Sequence, residues 1–553
     1  DNIQKALSRS DRTMPEETPA PPDRKKIVQY LSQHVHATSP LPKDNHQRKL
    51  QTKLDGLFHR LRENERDDDG EENMVEILSQ TALTLQEQAE RLSMTMSSEK
   101  EEEENGNVVE GLHLKACKAY EVAAKMKEAY TIYYNWAIAI GDRARLLEPK
   151  RPEEAELLWR EACEKYEKAV DVGMKRTFLG RVKDEGEELV EIVTPMSISR
   201  ALNNHGLALR QRAMLMTEEE FGGGRSREGS ERSGTTTTAS TAMAMAAVVV
   251  NGKTEAETES SGRDGHHFRS SSNCSVAESK SKCLSEAILK FRRAIRISPD
   301  FHRAAYNLGT VEFARGRSDH AAVYVFSALA MVTSSLPSSS ETKNAKEVYS
   351  ESAQLVESAL PDTQCGYDSL FAGNIWFAGG IGKQHGEDEN KRTAITDFDW
   401  ARRRFAICAS AFKTVDAAQT FRIKSESGDY VPSRNDAWGV AAESTSKNHF
   451  NVNLPILSIE SCQPVSDISR PPNCFAFILS VREKEEKDND SSFAVARAAH
   501  HYRFACETES ERDVWVDAIT LLASLAKRGK KDALASVFER VKNKRKKRVG
   551  FAE

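Results

Sequence analysis

Between residues 281 and 330, apolar positions recur at the spacing of an α-helix, with small and large side chains in a fixed order. The recurring positions, in chain order, are Ala287, Phe291, Ala294, Leu308, Gly309, Ala321, Val325 and Ala328. Pro299 and Gly316 divide this stretch into three helices, because proline and glycine favour the turns between periodic segments. The pattern predicts that Gly309 and Ala321 lie where two antiparallel helices approach most closely.

The same order of residues occurs twice upstream and predicts three helical hairpins. In the first, an expanded turn at residues 142–154 precedes a partner helix that carries Ala162, Tyr166 and Ala169. In the second, a Gly/Ser/Thr-rich insert at residues 217–280 delays the partner helix. The three units are predicted to begin at Lys115, Arg200 and Phe301. Hairpins of this spacing resemble tetratricopeptide (TPR) repeats, so we predict a TPR-like array over residues 110–360.

The residues before this array, 1–109, form a predicted N-terminal region of helical and disordered segments. Apolar periodicity predicts helices at residues 27–35, 50–61 and 74–92. The acidic run at residues 99–104 is interpreted as a solvated linker to the array, because blocks of like charge repel one another.

Beyond residue 360 the apolar period changes to that of short strands. The predicted strands are residues 375–380, 403–409, 420–424, 454–460, 474–481, 493–498 and 502–507. A helix follows at residues 509–527, with Trp515 on its apolar stripe. Several strands closed by such a helix resemble a pleckstrin-homology (PH) domain, here over residues 370–527. The predicted fold is multidomain: an all-α TPR helical-repeat array, a PH-like β-sandwich with a C-terminal helix, and a basic tail at 528–553.

Composition and motifs narrow the possible functions. The formal net charge of −5 argues against a globally basic nucleic-acid binder. The 9 cysteines are scattered singly, which is typical of a reducing compartment. No phosphate-binding loop, zinc-protease motif or serine-hydrolase motif occurs in the sequence. We therefore expect a soluble, intracellular, non-catalytic protein that uses no cofactor or metal, and we expect its main partner to be a protein rather than a nucleic acid.

An asparagine recurs at the same position of all three units, as Asn135, Asn204 and Asn307. In a TPR array this position faces the concave groove, where an amide offers a donor and an acceptor to an extended peptide. Arg200 and Arg303 lie one helical turn earlier and would favour an acidic ligand. The pattern predicts a groove for a protein or peptide partner. Asparagines that cap or bridge neighbouring helices would give the same pattern.

Arg402 and Arg404 are one residue apart in a predicted strand, so both guanidinium groups share one face and could hold phosphates. Basic residues in the preceding loop would complete this phosphoinositide site: Lys383, Lys391 and Arg392. A basic group in the tail independently favours anionic membranes: Lys542, Lys544, Arg545, Lys546, Lys547 and Arg548. Two alternatives stay open: the strand arginines form a solvated edge, or the tail is a nuclear-import or RNA-binding segment.

Several segments together resemble a plant TPR protein family whose best-known member is named for hypersensitivity to the actin drug latrunculin B. They are YYNWAIAIGDRARL, ELLWREACEKYEKAV, ALNNHGLAL, ILKFRRAI, DFHRAAYNLGTV and the closing WVDAITLLASLAKRGKKDALA. The resemblance covers most of residues 110–332 and 505–535, and it departs at the insert, at His205 and in the middle of the strand region.

This resemblance implies an adaptor in trafficking between endosomes and the trans-Golgi network, coupled to actin. It implies a cytoplasmic protein held at the surface of these endomembranes, with trafficking machinery or actin among its partners. The alternative function, a nuclear or RNA-associated TPR scaffold that uses the basic tail, stays open.

Overall fold

In the computed structural model the described residues form a helical region, then an antiparallel sheet, then a closing helix. They are residues 45–64, 71–95, 99–179, 193–216, 272–333, 340–360, 369–378, 400–408, 411–414, 453–466, 473–482 and 500–530, with short pieces at 532–533, 535–536 and 539. The chain divides into two compact units, and the boundary falls within one helix. The first unit takes in the residues up to Thr194 and Ala208–Thr217, and the second takes in Pro195–Leu207 and the residues from Glu218 onward.

The first unit is helical in its described parts. Its helices are α1 (Asn45–Asn64), α2 (Glu71–Thr95), α3 (Glu99–Met126), α4 (Tyr130–Leu147) and α5 (Pro152–Leu179). Helices α1 and α2 confirm the predictions at 50–61 and 74–92, whereas the segment 27–35 lies outside the described residues. The predicted linker at 99–104 is wrong, because these residues begin α3. Glutamate has a high intrinsic helix propensity, so a run of glutamates is compatible with a helix.

Helices α4 and α5 form the first predicted hairpin. Their turn covers only residues 148–151, shorter than the predicted 142–154, because α4 continues its buried stripe through Ala144 and Leu147. A Cβ atom added at Gly141 would lie 2.9 Å from the Trp159 ring. A side chain at this position would therefore push the two helices apart.

The second unit begins with the first part of a helix that crosses the boundary. Its helices are α6 (Pro195–Leu215, shared with the first unit), α7 (Ser272–Ile297), α8 (His302–Ala314), α9 (Ser318–Thr333) and α10 (Ser340–Ala359). As predicted, α6 and α7 pack together: a Cβ on Gly206 would lie 2.6 Å from the Phe291 ring. The predicted insert 217–280 is too long, since α7 already begins at Ser272. The serine-rich start of α7 carries no apolar period that would have revealed the helix.

Helices α8 and α9 make their closest approach at Gly309, as the sequence predicts. A Cβ atom there would lie 2.6 Å from Val325 Cγ2 and 3.1 Å from the Val325 backbone nitrogen. Ala321, the small residue predicted on the facing helix, is fully buried. The hairpin therefore depends on small side chains on both helices.

Gly309→Ala should lower the free energy of unfolding by about 1–3 kcal/mol, because the α9 backbone beside it must shift. Ala321→Phe on α9 should have an effect of similar sign and size, because the larger side chain overpacks a fully buried position. Gly56→Ala in α1 should instead stabilise the protein by about 0.5–1 kcal/mol, since nothing lies within 4 Å of the added methyl group. Urea unfolding followed by circular dichroism measures all three. A stabilising effect of Gly309→Ala would contradict the close approach.

The C-terminal part of the second unit contains one antiparallel sheet of seven described strands. They are β1 (Ser369–Ala378), β2 (Trp400–Cys408), β3 (Ala411–Thr414), β4 (Asn453–Pro455), β5 (Ile459–Val465), β6 (Phe475–Val481) and β7 (His500–Cys506). Their order across the sheet is β4-β3-β2-β1-β7-β6-β5, so β4 and β5 are its edges.

Predicted and observed strands agree best where the apolar alternation is long. The predictions at 375–380, 403–409, 474–481 and 502–507 are confirmed with shifted ends as β1, β2, β6 and β7. The single strand predicted at 454–460 is wrong: a 3-10 turn, Ile456–Ser458, separates β4 from β5. Pro455 precedes that turn and cannot donate to a strand ladder. The predictions at 420–424 and 493–498 lie outside the described residues.

The closing helix α11 (Glu509–Lys527) has the predicted bounds. The Thr508 side chain caps it by accepting a hydrogen bond from the Glu511 backbone N–H at 3.1 Å. Trp515 is 0% exposed and packs edge to face on Phe371 of β1, with ring centroids 4.8 Å apart. Helix α11 therefore covers the core face of the sheet.

In the described parts of the chain, no helix combines the length and the apolar character needed to cross a membrane.

Candidate functional site

Two of the predicted groove asparagines lie on packed helices of the second unit, Asn204 on α6 and Asn307 on α8. A further amide links them. Asn307 Nδ2 donates to Asn203 Oδ1 at 2.8 Å, and Asn203 Nδ2 donates to Asn204 Oδ1 at 3.2 Å. Asn203 is 4% exposed, whereas Asn204 and Asn307 are half-buried. These three residues, Asn203, Asn204 and Asn307, form an amide ladder that bridges α6 and α8. Bridging of neighbouring helices is the alternative role that the sequence left open. Asn204 and Asn307 still border solvent.

The other residues predicted for the groove differ in their surroundings. Arg200 and Arg303 are exposed, one helical turn before Asn204 and Asn307 on the same helices. Asn135 is half-buried on α4, in the first unit. Peptide binding by these residues stays a prediction.

The predicted arginine pair lies on β2 and faces away from the core, since the buried Phe405 follows Arg404 and side chains alternate along a strand. Arg402 is exposed, and its Nη2 atom lies 2.7 Å from Glu507 Oε1. Glu507 therefore occupies a position where it would compete with a phosphate for Arg402. The remaining predicted lipid-binding residues lie outside the described residues: Lys383, Lys391, Arg392, Lys542, Lys544, Arg545, Lys546, Lys547 and Arg548.

A group of buried charges joins α7 and α8 to α11. This buried charge cluster comprises the buried Arg292, Glu312, Asp513 and Asp517, with the more exposed Arg296 at its edge. Two further arginines border it: Arg512 Nη2 lies 2.8 Å from Asp513 Oδ1, and Arg317 Nη1 lies 3.7 Å from Glu312 Oε2. Arg292, which is 4% exposed, places Nη1 3.1 Å from Asp513 Oδ2 and Nε 3.2 Å from Asp517 Oδ2. Arg296 binds the other oxygen of each aspartate, at 3.1 and 3.2 Å. Glu312 Oε1 lies 3.5 Å from Arg292 Nη2.

Burial and pairing act in opposite directions on these groups. Burial alone would lower the pKa of Arg292, yet the neighbouring acidic groups outweigh it and raise that pKa. Burial raises the pKa of Asp517, and Arg292 and Arg296 oppose this rise. Tyr324 donates a hydrogen bond to Asp517 at 2.9 Å, and burial raises the pKa of its hydroxyl. Arg292 contacts all three carboxylates of the cluster, so the cluster depends most strongly on this arginine.

Sequence reasoning missed both Asn203 and the buried charge cluster. Each arm of the cluster is a pair of like charges one helical turn apart, Arg292 with Arg296 and Asp513 with Asp517. The two like charges of each pair repel one another in an isolated helix. A basic pair on one helix and an acidic pair on another therefore indicate that the two helices pack together.

Within the described residues, no group of three or more His, Cys, Asp or Glu side chains is placed to hold a metal ion. A scan against protein-family models finds no matching model for this chain, and a comparison with curated proteins finds no match.

Proposed function

We propose that this protein is a non-catalytic adaptor that binds a protein or peptide on TPR-like hairpins and associates with anionic endomembranes. The TPR assignment is supported by one packing device that recurs in three hairpins. A glycine of the first helix meets a bulky side chain of the second in the pairs Gly141–Trp159, Gly206–Phe291 and Gly309–Val325. Recurrence of one unit is the mark of a repeat architecture. The strand order β4-β3-β2-β1-β7-β6-β5 with its closing helix supports the PH-like assignment.

The buried charge cluster is the observation that carries the adaptor proposal. It joins helices of the hairpin array to the helix that closes the sheet, inside one compact unit. A surface on α6 and α8 and a surface on the sheet are therefore held in one body. Fixed geometry between two binding surfaces is what an adaptor needs, because each bound partner is then positioned for the other.

The partner surface in this proposal is the amide ladder with Arg200 and Arg303. Half-buried amides can bind a peptide backbone, and the exposed guanidinium groups favour acidic side chains beside it. The proposed setting is trafficking between endosomes and the trans-Golgi network, linked to actin, and it rests on the family resemblance stated above.

Affinity capture from plant extract with the full chain tests the adaptor role. Asn307→Ala combined with Arg303→Glu should remove trafficking or actin proteins from the captured set, because it removes an amide and reverses a charge on the same surface. Lys343→Glu, an exposed change on α10, should leave the set unchanged. A captured set dominated by RNA-binding proteins, and lost on nuclease treatment, would favour the nuclear or RNA-associated alternative.

Membrane association makes a separate prediction at Arg402. Glu507→Gln should tighten binding to phosphoinositide vesicles by about two- to fivefold, because it releases Arg402 from an exposed ion pair. Glu509→Gln removes the same charge two residues away and should have a smaller effect. Arg402→Ala with Arg404→Ala should reduce discrimination between phosphoinositide and phosphatidylserine vesicles, measured by co-sedimentation. If that double variant binds both as the parent does, the pair is a solvated edge, and any recruitment rests on the basic tail or a protein partner.

A further inference from the structure

A pocket of about 550 Å³ opens between β5, the last turns of α11 and the end of α7. Its strand wall is the whole run from Ile459 to Pro464, and Arg296 and Pro299 form a third side. Its helix wall consists of Thr520, Ala523, Ser524, Lys527 and Arg528. We refer to this space as the β5 pocket. It contains neither the amide ladder nor the arginine pair of β2.

The β5 pocket follows the backbone edge of the strand rather than one of its faces. Side chains of a strand alternate between two faces, so a pocket on one face would be lined by every second residue. Here every residue from Ile459 to Pro464 lines the space. Strand β5 is at the end of the sheet and pairs with β6 alone among the described strands. An edge of this kind offers N–H and C=O groups to a further strand.

One contact shows that a backbone acceptor of β5 is directed toward the helix wall. Lys527 Nζ donates a hydrogen bond to the Glu460 carbonyl oxygen at 3.2 Å. Lys527 is exposed at the end of α11, so an incoming strand could replace this contact without breaking the core. Pro464 lacks an N–H group and limits further pairing at the other end.

The charges that line the pocket favour an acidic ligand. Three of the four charged lining residues are basic (Arg296, Lys527 and Arg528), and Glu460 is the acidic one. Arg296 is paired within the buried charge cluster, and Arg528 pairs with Asp300 at 2.5 Å. Lys527 instead contacts a backbone carbonyl, so its ammonium group is the one best placed to take a carboxylate.

We infer that the β5 pocket binds an extended, acidic segment of a partner protein, which adds as a strand to the edge of β5. A carboxylate of that segment pairs with Lys527, and a side chain beside it enters the space next to Ser524. This site is separate from the groove of the proposed adaptor function. Each can therefore fail without the other.

Fluorescence anisotropy with the full chain tests the inference. The probes are fluorescein-labelled peptides of alternating Thr and Val, about nine residues long, with glutamate placed at each position in turn. Lys527→Glu should weaken the best peptide at least about tenfold, because it replaces attraction by repulsion. Lys343→Glu makes the same charge change outside the pocket and should leave binding unchanged. Ser524→Trp should abolish binding by filling the space.

Backbone methylation separates strand addition from simple charge attraction. A peptide strand has two edges, and only one can pair with β5. Of two versions methylated on alternate backbone nitrogens, one should therefore lose binding and the other should keep it. This comparison uses the wild-type protein, so it tests strand addition even if Ser524→Trp fails to fold.

Three results would overturn the inference. In the first, none of the acidic peptides binds at millimolar concentration. In the second, both methylated peptides bind as the parent does. In the third, inorganic phosphate or phosphatidylserine vesicles displace the peptide completely while methylation has no effect, which would make the pocket an anion or headgroup site.

Discussion

Arg292→Met should lower the free energy of unfolding by about 3–5 kcal/mol at neutral pH, because it removes the guanidinium group that contacts all three buried carboxylates of the cluster. Arg292 contacts Asp513, Asp517 and Glu312, all of which are almost completely buried. In the variant Arg296 still pairs with both aspartates, whereas Glu312 keeps the longer contact to Arg317, at 3.7 Å. This decrease in the free energy of unfolding measures the cost of burying carboxylates with less counter-charge. It does not measure the net stabilisation by the cluster.

The effect of Arg292→Met should depend on pH in a defined direction. Burial raises the pKa of Asp517, so its contribution to stability is present at low pH and is lost as the pH rises through the folded-state pKa. Removing Arg292 takes away a charge that opposes this rise, so the pKa should increase further. The difference in unfolding free energy between wild type and variant, measured by urea unfolding, should therefore narrow as the pH is lowered from neutral.

The neighbouring Arg293 offers a matched control, since it is exposed on the same helix. Arg293→Met should change the free energy of unfolding by no more than about 0.5 kcal/mol. Two results would show that the cluster does not hold α7 to α11 as described. In one, both variants have the same free energy of unfolding. In the other, the destabilisation by Arg292→Met increases as the pH falls.

The sequence predicts best those elements whose ends and buried face are marked by nearby residues. Helix α11 has a capping Thr508, a long apolar stripe and a terminal Gly529, and its bounds were predicted correctly. The edge strands β3 and β4 are four and three residues long, which is too short for alternation to stand out. The helical start of α7 carries mostly polar residues, so the apolar pattern places its first turns in the insert.

The candidate site was less predictable because its residues meet only through tertiary contacts. The recurrence of asparagine is visible in the sequence, but nothing in the local pattern indicates that Asn203 connects Asn204 to Asn307. Arg292 and Arg296 resemble a solvated face until α11 packs on them. The β5 pocket depends on the order of the strands across the sheet, which the alternation of apolar residues does not determine.

Trp515→Ala should lower the free energy of unfolding by about 3–5 kcal/mol, because it opens a cavity where α11 meets the sheet. The indole is 0% exposed and contacts Phe371 of β1. A Cβ on Gly373 of the same strand would lie 3.4 Å from the Trp515 ring, so the backbone of β1 approaches the indole closely. Little of the surrounding core can collapse into the space that alanine would leave.

Trp376→Ala provides the control. Trp376 lies on β1, as Phe371 and Gly373 do, but it is only half-buried and packs beside Ala476 and Ala505. Trp376→Ala should lower the free energy of unfolding clearly less than Trp515→Ala does, because the half-buried Trp376 side chain buries less apolar area. Near-ultraviolet circular dichroism with urea unfolding measures both variants. A neutral Trp515→Ala would contradict the PH-like assignment at its most specific residue. The adaptor proposal would then lose its second surface, because α11 carries both the indole and the aspartates that join the sheet to α7.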